Sequence, residues 1–317
     1  MKASVIPARI HSSTVVAQNV AAAVSTTGPL NEEVTPQGNH EFVLIGQSFA
    51  TLRHSGGVSD PPSLRAAESL HVVERAGDAS RTLVLAHGFT QNANCWGPLD
   101  DALAPATRRL VDLPGHGQSQ HDDVSLPVAA ELVGAAGGRA TYIGYSMGGR
   151  IVLHLALQRP ELVEALILIG ATAGITDSQA RIDRLNDDCA LAESMEQLST
   201  KQFIDQWLQH PLFARLTDEQ SCRVQRLSNR IAGLAATLVH RGTGAMRPLH
   251  DDLATLNIPV LILAGAEDQK FIDRGAELKT LIGTNATCML IPGAGHACHL
   301  EAPAATAEVI NTWLSSL

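Results

Sequence analysis

The 317-residue sequence predicts an α/β fold: a mostly parallel sheet flanked by helices on both faces, with a helical segment inserted late in the chain. Three observations carry that prediction. Short apolar runs typical of buried strands alternate with helical patterns from about Ser69 onward. One of these runs, Ala140 to Ile143, leads directly into Gly144-Tyr145-Ser146-Met147-Gly148-Gly149, which reads as a sharp strand-to-helix turn. Between Ala171 and His250 the buried-strand signal vanishes and amphipathic helical patterns replace it. With 45% hydrophobic residues, the chain can bury one sizeable core and an inserted subdomain. The expected organisation is an N-terminal extension over residues 1–65, a core formed by residues 66–170 and 251–317, and a helical lid over residues 171–250.

The extension is rich in Ala, Ser, Thr and Val, and is expected to be poorly ordered, with Gly56-Gly57 and Pro61-Pro62 as late punctuation. Its first 31 residues hold Lys2 and Arg9 but no acid, a composition similar to that of a transit peptide. Val15 to Val24 is broken by Gln18 and Asn19, so it makes a poor secretory core, and a mistaken start codon or an added tail explains the stretch equally well. Thr82 to Ala86 is the next strand pattern and runs into His87-Gly88-Phe89. Arg109 to Asp112 is another, closing in the Leu113-Pro114-Gly115-His116-Gly117 turn, where the proline and glycines set backbone angles. Ile151 to Gln158 continues the helix after the turn at Ser146, and Ala165 to Gly170 returns as a strand. The lid patterns are interrupted by Pro211 and by Gly242-Thr243-Gly244. Two strand patterns follow: Pro259 to Gly265, ending in Ala266-Glu267-Asp268, and Cys288 to Ile291, leading through Pro292-Gly293-Ala294-Gly295 to His296.

Chemistry-bearing residues stand at the ends of these strands. Gly-x-Ser-x-Gly around Ser146 reads as a nucleophile elbow, where a strained backbone presses flanking residues against the next helix and small neighbours are needed. A lone match is only moderately specific, so its partners matter. Ser146, then Asp268, then His296 is the chain order of the α/β-hydrolase fold, whereas other triad folds use other orders. Asp268 is preferred over its neighbour Glu267 because it has the Gly-x-x-Asp spacing after the strand. His296 is the expected base. One histidine among thirteen is ordinarily a satisfied polar residue, and the ordered set of partners is what lifts this one above that reading. The backbone N–H groups of Phe89 and Met147 are the expected oxyanion donors, Met147 because amides at a helix N-terminus lack intrahelical acceptors.

A net charge of −9 offers no basic face to nucleic acid or an anionic membrane. No stretch reaches the roughly 18 to 20 continuous apolar residues that span a bilayer. Five cysteines, Cys95, Cys189, Cys222, Cys288 and Cys298, are odd in number and show no C-x-x-C spacing, so neither a disulfide framework nor a structural zinc site is expected, and a reducing cytoplasm fits best. Cys298 and His299 lie near His296 but lack further ligands, so no metal is expected; no cofactor is needed by triad chemistry either.

Arginine outnumbers lysine 19 to 4, and the lid holds Arg181, Arg184, Arg215, Arg223, Arg226, Arg230, Arg241 and Arg247. Acids such as Asp183, Asp187 and Asp188 could pair with them on a solvated helical face. Yet a guanidinium is also the preferred group for gripping a carboxylate at two points. Arg181 and Arg184 are one turn apart, and Arg150 follows the nucleophile by four residues, near enough to meet an anionic, carboxylate-bearing substrate or else to lock the elbow with an ion pair.

From residue 82 to 315 the chain resembles the 2-succinyl-6-hydroxy-2,4-cyclohexadiene-1-carboxylate (SHCHC) synthases of menaquinone biosynthesis, lyases of the α/β-hydrolase fold. The motifs are His87-Gly88-Phe89, Val111 to Gly117, Gly144 to Arg150, Gly265 with Asp268-Gln269-Lys270-Phe271, and Gly295-His296-Ala297-Cys298-His299. The more telling ones are the arginine directly after the elbow glycines, Arg226-Leu227-Ser228-Asn229 followed by Gly233-Leu234-Ala235, and Gly242-Thr243-Gly244. The resemblance implies that a proton is removed from a succinylated cyclohexene carboxylate and pyruvate is expelled without consuming water. Ser146 would take the proton with help from His296 and Asp268, while the Phe89 and Met147 amides hold the enolate oxygen. It also implies substrate contacts from Arg150, Arg184, Tyr145 and Trp207, with Arg181 as a possible substitute for Arg184; Trp207 could equally be a core residue. A third arginine would be Arg226 or Arg230, because Arg226 precedes Ser228-Asn229 by one residue more than the pattern has. The N-terminal extension lies outside the family pattern. The rival reading is a serine hydrolase cleaving an ester or a ketone-flanked carbon–carbon bond with the same triad; a non-catalytic ligand receptor is a further one. The arginine set discriminates, because an esterase for neutral substrates has no use for several cations above its nucleophile.

Overall fold

The computed structural model describes residues 69–317, so the expectation for residues 1–65 lies outside the described residues. In chain order the elements are β1 (Val72–Arg75), β2 (Thr82–Ala86), α1 (Gly97–Ala102), β3 (Thr107–Val111), α2 (Leu126–Gly137), β4 (Ala140–Tyr145), α3 (Met147–Gln158) and β5 (Val163–Ile169). The helices α4 (Ser178–Met195), α5 (Thr200–Trp207), α6 (Arg223–Arg226) and α7 (Ile231–Arg241) then intervene. The chain closes with β6 (Val260–Gly265), α8 (Gln269–Ile282), β7 (Ala286–Ile291), α9 (Cys298–Glu301) and α10 (Pro303–Ser315). The seven strands form one sheet in the order β1-β3-β2-β4-β5-β6-β7, parallel except for β1 against β3.

Strand side chains alternate between the two faces, and each face has its own core. Val84, Tyr142, Leu166, Leu168 and Ile262 point into one, packed with Leu132 and Val133 of α2, Ile151 and Leu155 of α3, and Leu278 of α8. Leu83, Leu85, Ile143, Ile167, Ile169 and Leu261 point into the other, with Leu99 of α1 and Ile310 and Leu314 of α10. Burial on both sides is why β4 and β6 are apolar without alternation. The edge strand β1, which no sequence pattern marked, is short and partly exposed, with charged Glu74 and Arg75 in its second half.

The segment between β5 and β6 builds a third core from Ala192, Met195, Phe203, Ile204, Leu234 and Leu238, against which Phe89 and Trp207 pack. Its helices start where capping chemistry allows. Asp177 accepts the Ala180 N–H at 2.7 Å, and Ser199 with Gln202 forms a reciprocal capping box ahead of α5. Among the described residues no helix is long and apolar enough to cross a membrane.

Candidate active site

The site forms at the carboxyl end of the parallel strands, the face where open α/β sheets leave a crevice. At the end of the central strand β4, Ser146 adopts φ 51° and ψ −107°, a conformation that non-glycine residues avoid. It is held by its N–H donating to the Ile169 carbonyl at 2.8 Å. The turn tolerates no side chain on either flank: a Cβ on Gly144 would lie 2.6 Å from the Gly149 Cα, and one on Gly148 would lie 2.6 Å from the His87 carbonyl oxygen.

Two loops bring the partners. His296, buried after β7, places Nε2 3.2 Å from the Ser146 hydroxyl and Nδ1 3.1 Å from an Asp268 carboxylate oxygen. Asp268 is the N-cap of α8, its other oxygen accepting the Phe271 N–H at 3.3 Å, so the carboxylate is oriented from two sides. Glu267 is exposed, and its N–H is used on the Ala294 carbonyl. The Phe271 and Tyr145 rings pack against the imidazole, with centroids 4.2 and 5.3 Å away. A residue that no motif singled out holds the histidine loop: buried Glu301 accepts the N–H groups of Gly295 at 2.7 Å and Ala297 at 3.1 Å, on either side of His296.

After β2, the loop carrying Phe89 is fastened from below and above. His87 is fully buried; burial lowers its pKa to about 4, leaving the ring neutral. Its Nε2 accepts the Leu113 N–H at 3.0 Å, so Nδ1–H donates to the Gly88 carbonyl at 2.8 Å. From the lid, Asn229 donates to the Thr90 carbonyl at 2.6 Å, and Arg226 donates to the Phe89 carbonyl at 3.4 Å and to the Thr90 hydroxyl. Phe89 and Met147 both line the cavity beside Ser146, and Met147 is the first residue of α3.

That cavity has a volume of about 560 Å³ and is roofed by the lid. Arg150, Arg184, Arg241, Lys270 and Arg274 line it, against Asp177 as the lining acid. Arg150 is buried and donates to the Arg241 carbonyl at 2.8 Å, and among the described residues it makes no ion pair that would lock the elbow. Burial, then the charge of Arg184, lowers its pKa to about 10, partly offset by Asp188, so it stays cationic at neutral pH. Arg184 pairs with Asp188 at 2.9 Å while still facing the cavity. Trp207 is half-buried in the cavity wall and meets Phe89 edge to face at 5.1 Å.

Several expected substrate contacts stand elsewhere. Tyr145 is buried behind His296, packed on His299 at 4.1 Å, and is not part of the lining; burial pushes its phenol well up. Arg181 donates to the Ile175 carbonyl at 3.1 Å and also lies outside the lining. Arg226 is buried but committed to Ser221, Phe89 and Thr90, and Arg230 pairs with Asp122 at 2.6 Å. Arg241, at the C-terminal end of α7, also stands in the cavity lining, but it is fully buried and its guanidinium donates to the Asp122, Val124 and Pro114 carbonyls and to the Thr237 hydroxyl. It was one of eight lid arginines, and nothing in its spacing told it apart. Among the described residues no group of three or more His, Cys, Asp and Glu could hold a metal ion, and all five cysteines are free.

Comparison with known proteins places this geometry. The α/β hydrolase family profile matches residues 83–309. The chain is 32% identical over 254 residues to 2-succinyl-6-hydroxy-2,4-cyclohexadiene-1-carboxylate synthase of Serratia proteamaculans, covering 76% of this chain and 96% of that one. It is 32% identical over 230 residues to the enzyme of the same name from Escherichia coli O1:K1, covering 70% and 89%. Among solved structures, MenH from S. aureus superposes with a TM-score of 0.72 at 29% identity, covering 78% of this chain and 98% of that one. A thermophilic esterase from Thermogutta terrifontis, at 21% identity and a TM-score of 0.64, shares the fold.

Proposed function

Because the chain belongs to the α/β-hydrolase family and, within it, to the SHCHC synthases, we propose that it is a lyase of menaquinone biosynthesis. It eliminates pyruvate from 2-succinyl-5-enolpyruvyl-6-hydroxy-3-cyclohexene-1-carboxylate to give SHCHC. The observation that carries this reading is a Ser-His-Asp triad opening into a cavity lined by five cationic side chains and one acid.

The chemistry balances without water. The ring carbon bearing the succinyl ketone loses its proton to the Ser146 oxygen, whose own proton His296 accepts with Asp268 fixing the ring. The electron pair left on carbon shifts through the ring double bond and breaks the bond to the enolpyruvyl oxygen. The departing enolpyruvate takes up a proton and becomes pyruvate. Negative charge gathers on the ketone oxygen during the first step, and the backbone amides of Phe89 and Met147, residues that line the cavity with Ser146, receive it in this reading. Substrate carboxylates are held by Arg150 and Arg184. The partner is thus a small anionic molecule, and the free cysteines support a cytoplasmic enzyme.

A serine hydrolase would use the same triad, and the fold is shared with an esterase. Buried Arg150, with no acid paired to it among the described residues, argues against a neutral ester, since an unpaired charge is costly to bury unless a ligand compensates it. Incubation with the enolpyruvyl precursor, coupling pyruvate release to a lactate dehydrogenase reaction, decides between the two. Stoichiometric pyruvate with no activity on neutral esters is expected; ester turnover without pyruvate release overturns the lyase reading.

A further inference from the structure

Lys270 has no evident structural return for its position. It stands in the first turn of α8, two residues after Asp268, where a cation opposes the helix dipole and no acid in that turn offsets it. Its side chain is exposed at the cavity, and among the described residues it makes no ion pair. Its ammonium lies 5.6 Å from the centroid of Phe271, the ring that packs on His296. Arg274, one turn further along α8, also lines the cavity but shares its charge with Glu277 at 2.9 Å. Arg150 and Arg184 reach the same cavity from other elements, α3 and α4.

We propose that Lys270 is a substrate-recognition residue that binds a carboxylate separate from the one held by Arg150 and Arg184. The substrate then spans the nucleophile, with one anionic group against α3 and α4 and another against α8. This rests on the lyase reading and adds that two separated carboxylates are needed for productive binding. A point charge on a flexible stem suits that role at an entrance, where it attracts the anion before Arg150 and Arg184 engage it.

Lys270→Gln and Lys270→Arg test it through the pyruvate-release assay. Lys270→Gln should raise KM about tenfold with kcat held within about twofold, and flatten the dependence of kcat/KM on ionic strength. Lys270→Arg should recover most of the loss, and the Tm of Lys270→Gln should not fall. An unchanged KM overturns the proposal, as does a KM rise accompanied by a lowered Tm and no rescue by arginine. Should the native enzyme release no pyruvate, the lyase reading fails, and titration with succinate separates the two questions: about tenfold weaker binding by Lys270→Gln supports Lys270 as an anion site, and equal binding overturns it.

Discussion

Replacing Arg150 with methionine keeps most of the aliphatic stem and deletes the guanidinium. In the folded protein that group is buried and donates to the Arg241 carbonyl, and its pKa is lowered first by burial and then by the like charge of Arg184. Its remaining donors are available to a ligand, since no carboxylate among the described residues pairs with it. Charged hydrogen bonds to a substrate carboxylate are worth roughly 2 to 3 kcal/mol net, which at about 1.36 kcal/mol per decade corresponds to a roughly 30- to 150-fold loss in kcat/KM. Stability should barely change. The variant removes a desolvated cation and its repulsion with Arg184 while orphaning no acid, and this offsets the lost bond to Arg241. Steady-state pyruvate release and a thermal melt, run on the same preparation, check both halves. A native kcat/KM, or a large drop in Tm with KM unchanged, would refute the reasoning and assign Arg150 to structure.

Three other outcomes are expected. Gly148→Ala drives a methyl group into the backbone of the β2 end, which cannot yield as a side chain can, and should cost on the order of 3 kcal/mol in denaturant unfolding; a stability within about 0.5 kcal/mol of native would contradict the tight elbow. Burial holds the pKa values of His87 and His154 near 4, against about 6.5 in the unfolded chain, so unfolding takes up protons between those values. Stability is therefore complete above about pH 6.5 and declines as pH falls toward 4, by up to about 1.4 kcal/mol per pH unit for each histidine, and a urea-unfolding series at pH 7, 6 and 5 that stays flat would count against it. Arg226→Lys retains the charge but loses the fork that reaches Ser221, Phe89 and Thr90 together, and should lower kcat about tenfold with little effect on KM; a pure KM effect would instead return Arg226 to substrate binding.

The triad was legible in the sequence because each member is tied to a local backbone demand. Ser146 announces itself through glycines that steric contact requires, and Asp268 and His296 follow apolar runs that form β6 and β7, the first buried and the second an edge strand with Met289 and Leu290 exposed. The lid resisted the same reading. Helical spacing shows that Arg181 and Arg184 share a face, but tertiary packing decides which residue on that face looks into the cavity, and it chose Arg184. For the same reason neither candidate for a third substrate arginine held: Arg226 is spent on the Phe89 loop and Arg230 on Asp122, partners that only the tertiary fold brings to them. Glu301 left no signal because it binds backbone amides, which carry no sequence of their own. Strand β1 was missed because an edge strand with half its residues charged lacks the apolar run that marked its neighbours.

The contacts from Arg226 and Asn229 to Phe89 and Thr90 mean that the inserted helices are not a detachable specificity module. Grafting the corresponding segment of a distant homologue onto this scaffold, to change what it accepts, would also withdraw the struts that hold the Phe89 loop in place beside Ser146. Redesign of the cap must therefore carry those two side chains along, or the recombinant will bind new molecules and transform none of them.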